Sequence, residues 1–215
     1  MTLNQLKPQT VTWIKAAVFV LCLIPLANLA WLGLRHRLGA NPIEHITRST
    51  GWWTLAFLVV TLTVTPLRRF SNWNWLLKLR RMFGLFAFFY VCLHFTTYIW
   101  LDQFFDWHGI LKDIGKRPFI TVGFSAFVLL IPLAATSTNA MVRRLGGRRW
   151  QRLHRAVYAI AVLGVLHFWW LVKKDITEPL VFGALLGLLL LIRLIFAARK
   201  AGASTPPASA RSQAA

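Results

Sequence analysis

Residues 150–172 read W-Q-R-L-H-R-A-V-Y-A-I-A-V-L-G-V-L-H-F-W-W-L-V. From Ala156 onward the run carries no charge, and about 20 mainly apolar residues is the length a helix needs to cross hydrocarbon. Two histidines interrupt it, His154 near its start and His167 near its far end. A third, His94, lies in another apolar stretch, 82–101. An imidazole inside hydrocarbon is costly unless it is paired or functional, so each of the three needs a reason. Neutral imidazole is a favoured ligand of haem iron, and a low-dielectric setting favours the neutral form. The expectation is a set of membrane helices that hold haem and carry electrons.

The rest of the chain fits that setting. Its 215 residues are 57% hydrophobic, against about 45–50% in soluble domains. Six apolar segments can be marked, at 11–34, 51–66, 80–101, 118–136, 151–172 and 179–198. The second is short, and Pro66 is expected to close it. The predicted fold is all-α and integral to the membrane, a six-transmembrane-helix bundle with both termini cytoplasmic. Residues 1–10 form a cytoplasmic lead, 11–200 the transmembrane domain, and 201–215 a low-complexity tail expected to be disordered.

A net charge of +19 raises the question of nucleic acid, but its distribution answers it. Arg68, Arg69, Lys78, Arg80 and Arg81 follow the second span with no acid among them. Arg143, Arg144, Arg148 and Arg149 do the same after the fourth. After the third and fifth spans, Asp102, Asp106, Asp113, Asp175 and Glu178 offset the lysines and arginines. This is the positive-inside pattern of a protein whose partner is the lipid bilayer, and no nucleic-acid partner is expected.

Smaller features add detail. Cys22 and Cys92 sit in apolar spans without a C-x-x-C-H attachment motif, so any haem would be non-covalent, b-type. The first span is long enough to be an anchor, and Pro25 is expected to kink it. Ser49 or Thr50 is expected to cap span two. The eleven tryptophans fall near span ends, as an interfacial belt does; Trp169 and Trp170, beside His167, are also candidates to pack on a macrocycle. His36, His45 and His108 receive no cofactor role.

Depth along the helices groups the histidines. Spans three and five both run outward, and His94 and His167 each lie some twenty ångströms along them, so the two can ligate one iron from opposite sides. Either histidine alone is also accommodated as a packing residue bonded to a neighbouring carbonyl. His154 lies about 20 Å deeper than His167 and is opposed on span three by Arg80 or Arg81, so a second bis-histidine haem is not supported. Thirteen residues leave His154 and His167 roughly 140° apart around an ideal helix. Either the helix is distorted, with Gly164 the candidate, or two cofactors use different flanks. A coupled transporter is the competing class, but the six acids, with Glu44 completing the set, all fall outside the apolar spans. The run T-S-T-N-A-M-V-R-R-L-G-G-R-R-W, 136–150, reads as a helix end and a positive-inside loop, or as an anion site built from hydroxyls, Gly-Gly amides and arginines.

Several stretches together resemble a known family. They are G-A-N-P-I-E-H-I-T-R-S-T-G (39–51), T-P-L-R-R (65–69), R-R-M-F-G-L-F-A-F-F-Y-V-C-L-H-F-T-T-Y (80–98) and K-R-P-F-I-T-V-G (116–123). T-S-T-N-A-M-V-R-R-L-G (136–146), W-Q-R-L-H-R-A-V-Y (150–158) and L-H-F-W-W (166–170) complete the set. In this order they resemble the MsrQ family, haem-binding membrane subunits of the bacterial periplasmic methionine sulfoxide reductase system, within the ferric-reductase-like transmembrane group. The resemblance implies haem b and FMN as cofactors, with His94, His154 and His167 as the motif histidines. It implies a multi-pass protein of the bacterial inner membrane, a redox subunit without catalysis of its own. Electrons would come from the quinone pool or a cytosolic flavin reductase and go to a periplasmic molybdopterin subunit, MsrP. No nucleotide-binding domain follows span six, so a separate donor is expected. FMN is expected near the cytoplasmic face, at Arg80, Arg81, Ser137, Thr138 and His154. The alternative is a stand-alone ferric or oxygen reductase fed by a cytosolic flavoprotein.

Overall fold

A computed structural model describes residues 6–203. Its elements are α1 (Pro8–Leu34), α2 (Pro42–Ser71), α3 (Leu77–Thr97), α4 (Trp107–Lys116), α5 (Pro118–Ala135), α6 (Asn139–Leu145), α7 (Gly147–His154), α8 (Ala156–Leu171) and α9 (Thr177–Ala203). A 3₁₀ turn, Asn74–Leu76, leads into α3, and a π turn, Tyr98–Asp102, extends it. Among the described residues six helical stretches are long and apolar enough to cross a membrane: α1, α2, Asn74–Asp102, α5, Gly147–Leu171 and Thr177–Arg199. The protein is an all-helical, multi-pass membrane protein. Its outer surface is apolar, with Phe19, Leu188, Leu191 and Leu194 among the exposed side chains. That surface is what a lipid solvent requires. Of the expected tail, 201–203 continue α9 as helix, and 204–215 lie outside the described residues, as do 1–5 of the lead.

α2 forms the core of the bundle. Leu55, Leu58 and Leu62 recur at helical spacing and are buried against Tyr90 and Ala87 of α3 and Ile160 and Ala161 of α8. Its threonines fit an apolar setting by donating backward: Thr50, Thr54 and Thr61 bond the carbonyls of Ile46, Thr50 and Phe57. The helix is longer at both ends than the hydropathy pattern suggests. It starts at Pro42 with Asn41 as cap, whose Oδ1 accepts from the Glu44 amide at 3.2 Å. Ser49 and Thr50 are therefore interior rather than capping residues.

Pro66 does not close α2 either. Proline lacks the amide that would bond the Leu62 carbonyl. That carbonyl is satisfied instead by Arg193 of α9, whose Nη2 donates across 2.6 Å. Arg193 Nη1 also donates to the Tyr158 hydroxyl at 2.9 Å. A half-buried guanidinium thus repairs the defect that the proline makes. Arg193→Met is expected to lower stability by about 1–3 kcal/mol, the cost of an unsatisfied buried group. Pro66→Ala should recover part of the loss in that background by restoring the amide. Thermal unfolding in detergent of the two single variants and the double variant measures the coupling; additive losses would refute it.

Pro25 in α1 has a parallel device. The Tyr90 hydroxyl accepts from the Leu26 amide at 3.2 Å and donates to the Cys22 carbonyl at 2.9 Å, inserting into the ladder next to the proline. The distortion expected between His154 and His167 is also real but lies elsewhere. The helix breaks at Arg155, between α7 and α8, while Gly164 stays helical with its α-carbon facing Leu55. Trp13, Trp31, Trp100 and Trp107 are exposed around the bundle, as a belt should be. Trp169 and Trp170 also face outward, and Phe168 is the neighbour of His167 that reaches the interior.

Candidate functional site

Two helix pairs each position one histidine. His94 of α3 leans on α2, and its Nδ1 lies 2.9 Å from the Thr47 carbonyl. His167 of α8 leans on α5, and its Nδ1 lies 2.7 Å from the Phe119 carbonyl. A carbonyl only accepts, so in both rings Nδ1 carries the proton and Nε2 keeps its lone pair. Such a bond fixes ring orientation and raises the basicity of the free nitrogen.

A glycine makes each approach possible. Gly51 sits four residues after Thr47, and Gly123 four residues after Phe119. A Cβ at Gly123 would fall 2.6 Å from His167 Nδ1, and one at Gly51 would fall 3.0 Å from His94 Cε1. The same arrangement (carbonyl at one position, glycine one turn later, imidazole over it) therefore occurs twice, on opposite sides of one space.

The two rings face that space together, with centres 6.2 Å apart and planes at 78°. They line a cavity of about 370 Å³ enclosed by α2, α3, α5 and α8. Its walls are largely apolar, Leu55, Leu58, Val91, Phe124, Leu130 and Ile160 among them. Arg48, Asp102, Arg117 and Glu178 stand at its opening, at the end of the bundle that carries the acids. A nitrogen ligand sits about 2 Å from a first-row metal, and ring centres 6.2 Å apart leave room for one such ion between the two imidazoles. No group of three or more His, Cys, Asp or Glu side chains that could hold a bare ion occurs among the described residues. Two imidazoles in an apolar slot suit a metal that brings its other donors with it, as a porphyrin iron does.

The opposite, arginine-rich end collects the other predicted residues. His154 Nε2 lies 3.0 Å from the Thr136 hydroxyl, and its ring stacks on Trp150 with centres 3.9 Å apart. Trp150 Nε1 donates to the Thr136 carbonyl at 2.9 Å. Arg81 bonds Asn139 at 2.7 Å, tying α3 to α6, and Arg80 stands near His154. The Ser137 hydroxyl donates to Leu133, and Thr138 caps α6 through the Met141 amide. His154 thus shares neither the cavity nor the ring partners of His94 and His167. Sequence reasoning missed Thr47, Gly51, Phe119 and Gly123, whose roles are those of a carbonyl and an absent side chain. The only available signal was a glycine at the depth of each histidine.

Comparison with known proteins places the chain in a family. Residues 50–165 match the family described as ferric reductase like transmembrane component. A relative from Herminiimonas arsenicoxydans, named protein-methionine-sulfoxide reductase heme-binding subunit MsrQ, is 61% identical over 202 residues, covering 93% of this chain and 92% of its own. Relatives of the same name from Rhodospirillum rubrum and Azospira oryzae are 56% and 54% identical, over 90% and 94% of this chain and 93% and 88% of theirs. With its six apolar helices and identities of 54–61% over nine-tenths or more of its length, the chain belongs to the MsrQ family of ferric-reductase-like transmembrane proteins.

Proposed function

We propose that this chain is the haem-binding electron-transfer subunit of a bacterial methionine sulfoxide reductase system. It passes electrons from the quinone pool or a cytosolic flavin reductase across the inner membrane to a periplasmic molybdopterin subunit, MsrP. The observation that carries the proposal is the pair of imidazoles 6.2 Å apart in an apolar cavity, each with Nδ1 tied to a helix carbonyl. His94 and His167 would hold the haem iron through Nε2, with the Thr47 and Phe119 carbonyls keeping both rings oriented. The apolar walls keep water from the site. Bound haem b supplies a one-electron carrier whose potential follows from its axial ligands and burial. The chain itself needs no catalytic residue, since sulfoxide reduction belongs to the partner.

Charge sets the orientation. The acid-free arginine end, with both termini, faces the cytoplasm, and the acidic end faces the periplasm. The histidine cavity then lies toward the acceptor. FMN belongs at the cytoplasmic end, near Arg80, Arg81, Ser137, Thr138 and His154, where guanidinium groups suit a phosphate. Absorbance and cofactor extraction on the purified protein test both cofactors, and co-purification with the molybdopterin subunit tests the partnership.

A sharper expectation separates the two ends. Arg80→Gln with Arg81→Gln should lower flavin content severalfold and leave the haem spectrum unchanged. His154→Ala should also leave that spectrum unchanged, because some twenty ångströms of helix separate it from the cavity. Full flavin retention in the double variant would remove the FMN placement.

A further inference from the structure

The apolar walls and the two histidines leave the mouth of the cavity without a role. Its four charged side chains, Arg48, Asp102, Arg117 and Glu178, are all exposed. The two arginines come from the same segments that hold the histidines. Arg48 directly follows Thr47, and Arg117 lies two residues before Phe119, just ahead of α5. Each has one carboxylate partner. Arg48 Nη1 is 3.4 Å from Glu44 and Arg117 Nε is 3.2 Å from Asp113, with arginine side chains 60% and 56% exposed. The Arg48–Glu44 pair is exposed on both sides and contributes at most about 1 kcal/mol, so Arg48 can turn to a second carboxylate at little cost. Asp113 is only 16% exposed and meets Arg117 at Nε, which leaves the Nη groups of Arg117 to receive another carboxylate. Tyr98 lines the same cavity, and its hydroxyl is buried without a hydrogen-bond partner of good geometry, close to Asp113 and Arg117.

Two forked cations and a spare hydroxyl at the mouth of an apolar slot describe a ligand with an apolar body and two carboxylates on one edge. The geometry points to Arg48 and Arg117 as the residues that receive the two propionates of a porphyrin in this cavity, with the Tyr98 hydroxyl as a further donor. The assignment rests on the haem reading above. Guanidinium binds carboxylate through parallel hydrogen bonds, which fixes direction as well as affinity. Asp102 and Glu178 share the mouth and repel a carboxylate placed away from the arginines, so they restrict how the macrocycle is turned. The propionate edge then faces a second, open groove of about 820 Å³, which shares Arg48, Trp52 and Glu178 with the first.

The test compares two porphyrins in the full chain in detergent: iron protoporphyrin IX and its dimethyl ester, which has no ionisable propionates. Transfer to excess apomyoglobin gives the rate of loss from each. The unaltered protein should release the ester about tenfold faster, the effect of losing charge-assisted bonds. Arg48→Gln with Arg117→Gln should release both at the faster rate with an unchanged six-coordinate spectrum. Lysine at both positions should keep most of the difference. Equal release of acid and ester from the unaltered protein would overturn the assignment, and so would a double glutamine variant that still discriminates. If the double variant does not fold, Arg48→Gln and Arg117→Gln taken singly decide: each should lose part of the difference, and full discrimination in both would overturn the assignment. Failure of the unaltered protein to give a six-coordinate spectrum with either porphyrin would overturn the haem reading itself.

Discussion

His94→Ala and His167→Ala are each expected to abolish the low-spin, six-coordinate haem spectrum of the purified protein. The fall in haem affinity should exceed the roughly 10- to 100-fold that a metal site loses with a supporting partner. Among the described residues His94 and His167 are the two imidazoles that line the cavity, each with Nδ1 committed to Thr47 or Phe119. Neither variant leaves a neighbour able to substitute, because His154 is held by Thr136 and Trp150 at the other end of the bundle. Truncation opens a space of the shape of the lost ring, so millimolar imidazole should restore the spectrum in a folded variant. A normal six-coordinate spectrum in both variants, without added imidazole, would refute the ligand assignment.

The second large effect is expected at a residue with no side chain. Gly123→Ala puts a methyl group 2.6 Å from His167 Nδ1, where the helix backbone cannot yield and the ring must. The displaced imidazole loses its bond to Phe119 and its aim toward His94. Overpacking of this kind costs about 1–3 kcal/mol, and the haem spectrum should become mixed or five-coordinate. Gly51→Ala should act in the same direction but less, since its nearest contact to His94 is 3.0 Å. Gly187→Ala is the control: nothing lies within 4 Å of its added carbon, so spectrum and stability should hold. Electron paramagnetic resonance and thermal unfolding on the three variants give the order. An unaltered spectrum in Gly123→Ala would show that the close approach is not needed.

The two effects share a cause in the way a membrane helix satisfies its polar groups. A histidine in an apolar span must bond something, and the adjacent helix offers only carbonyls already engaged in its own ladder. A glycine one turn later bares the Thr47 and Phe119 carbonyls enough to accept a second donor. Arg193 meets the inverse problem, since Pro66 withdraws a donor and Leu62 is left to accept from the guanidinium. The same Nδ1–carbonyl bond thus holds two helices together and sets the direction of Nε2.

Much of this was legible in the residues taken singly. Six apolar spans follow from composition, the different charge of the two ends from counting, and the equal height of His94 and His167 from a rise of about 1.5 Å per residue. Height is a property of one helix at a time, so sequence suffices to read it. The rotation of a helix about its axis, and the face its neighbour turns toward it, depend on contacts between segments far apart in the chain. Tertiary structure alone therefore decided that Thr47 and Phe119 receive the two imidazoles, that Gly51 and Gly123 admit them, and that α2 passes through Pro66 by borrowing Arg193 from α9. It also placed the break between α7 and α8 at Arg155, where no proline or glycine announces it.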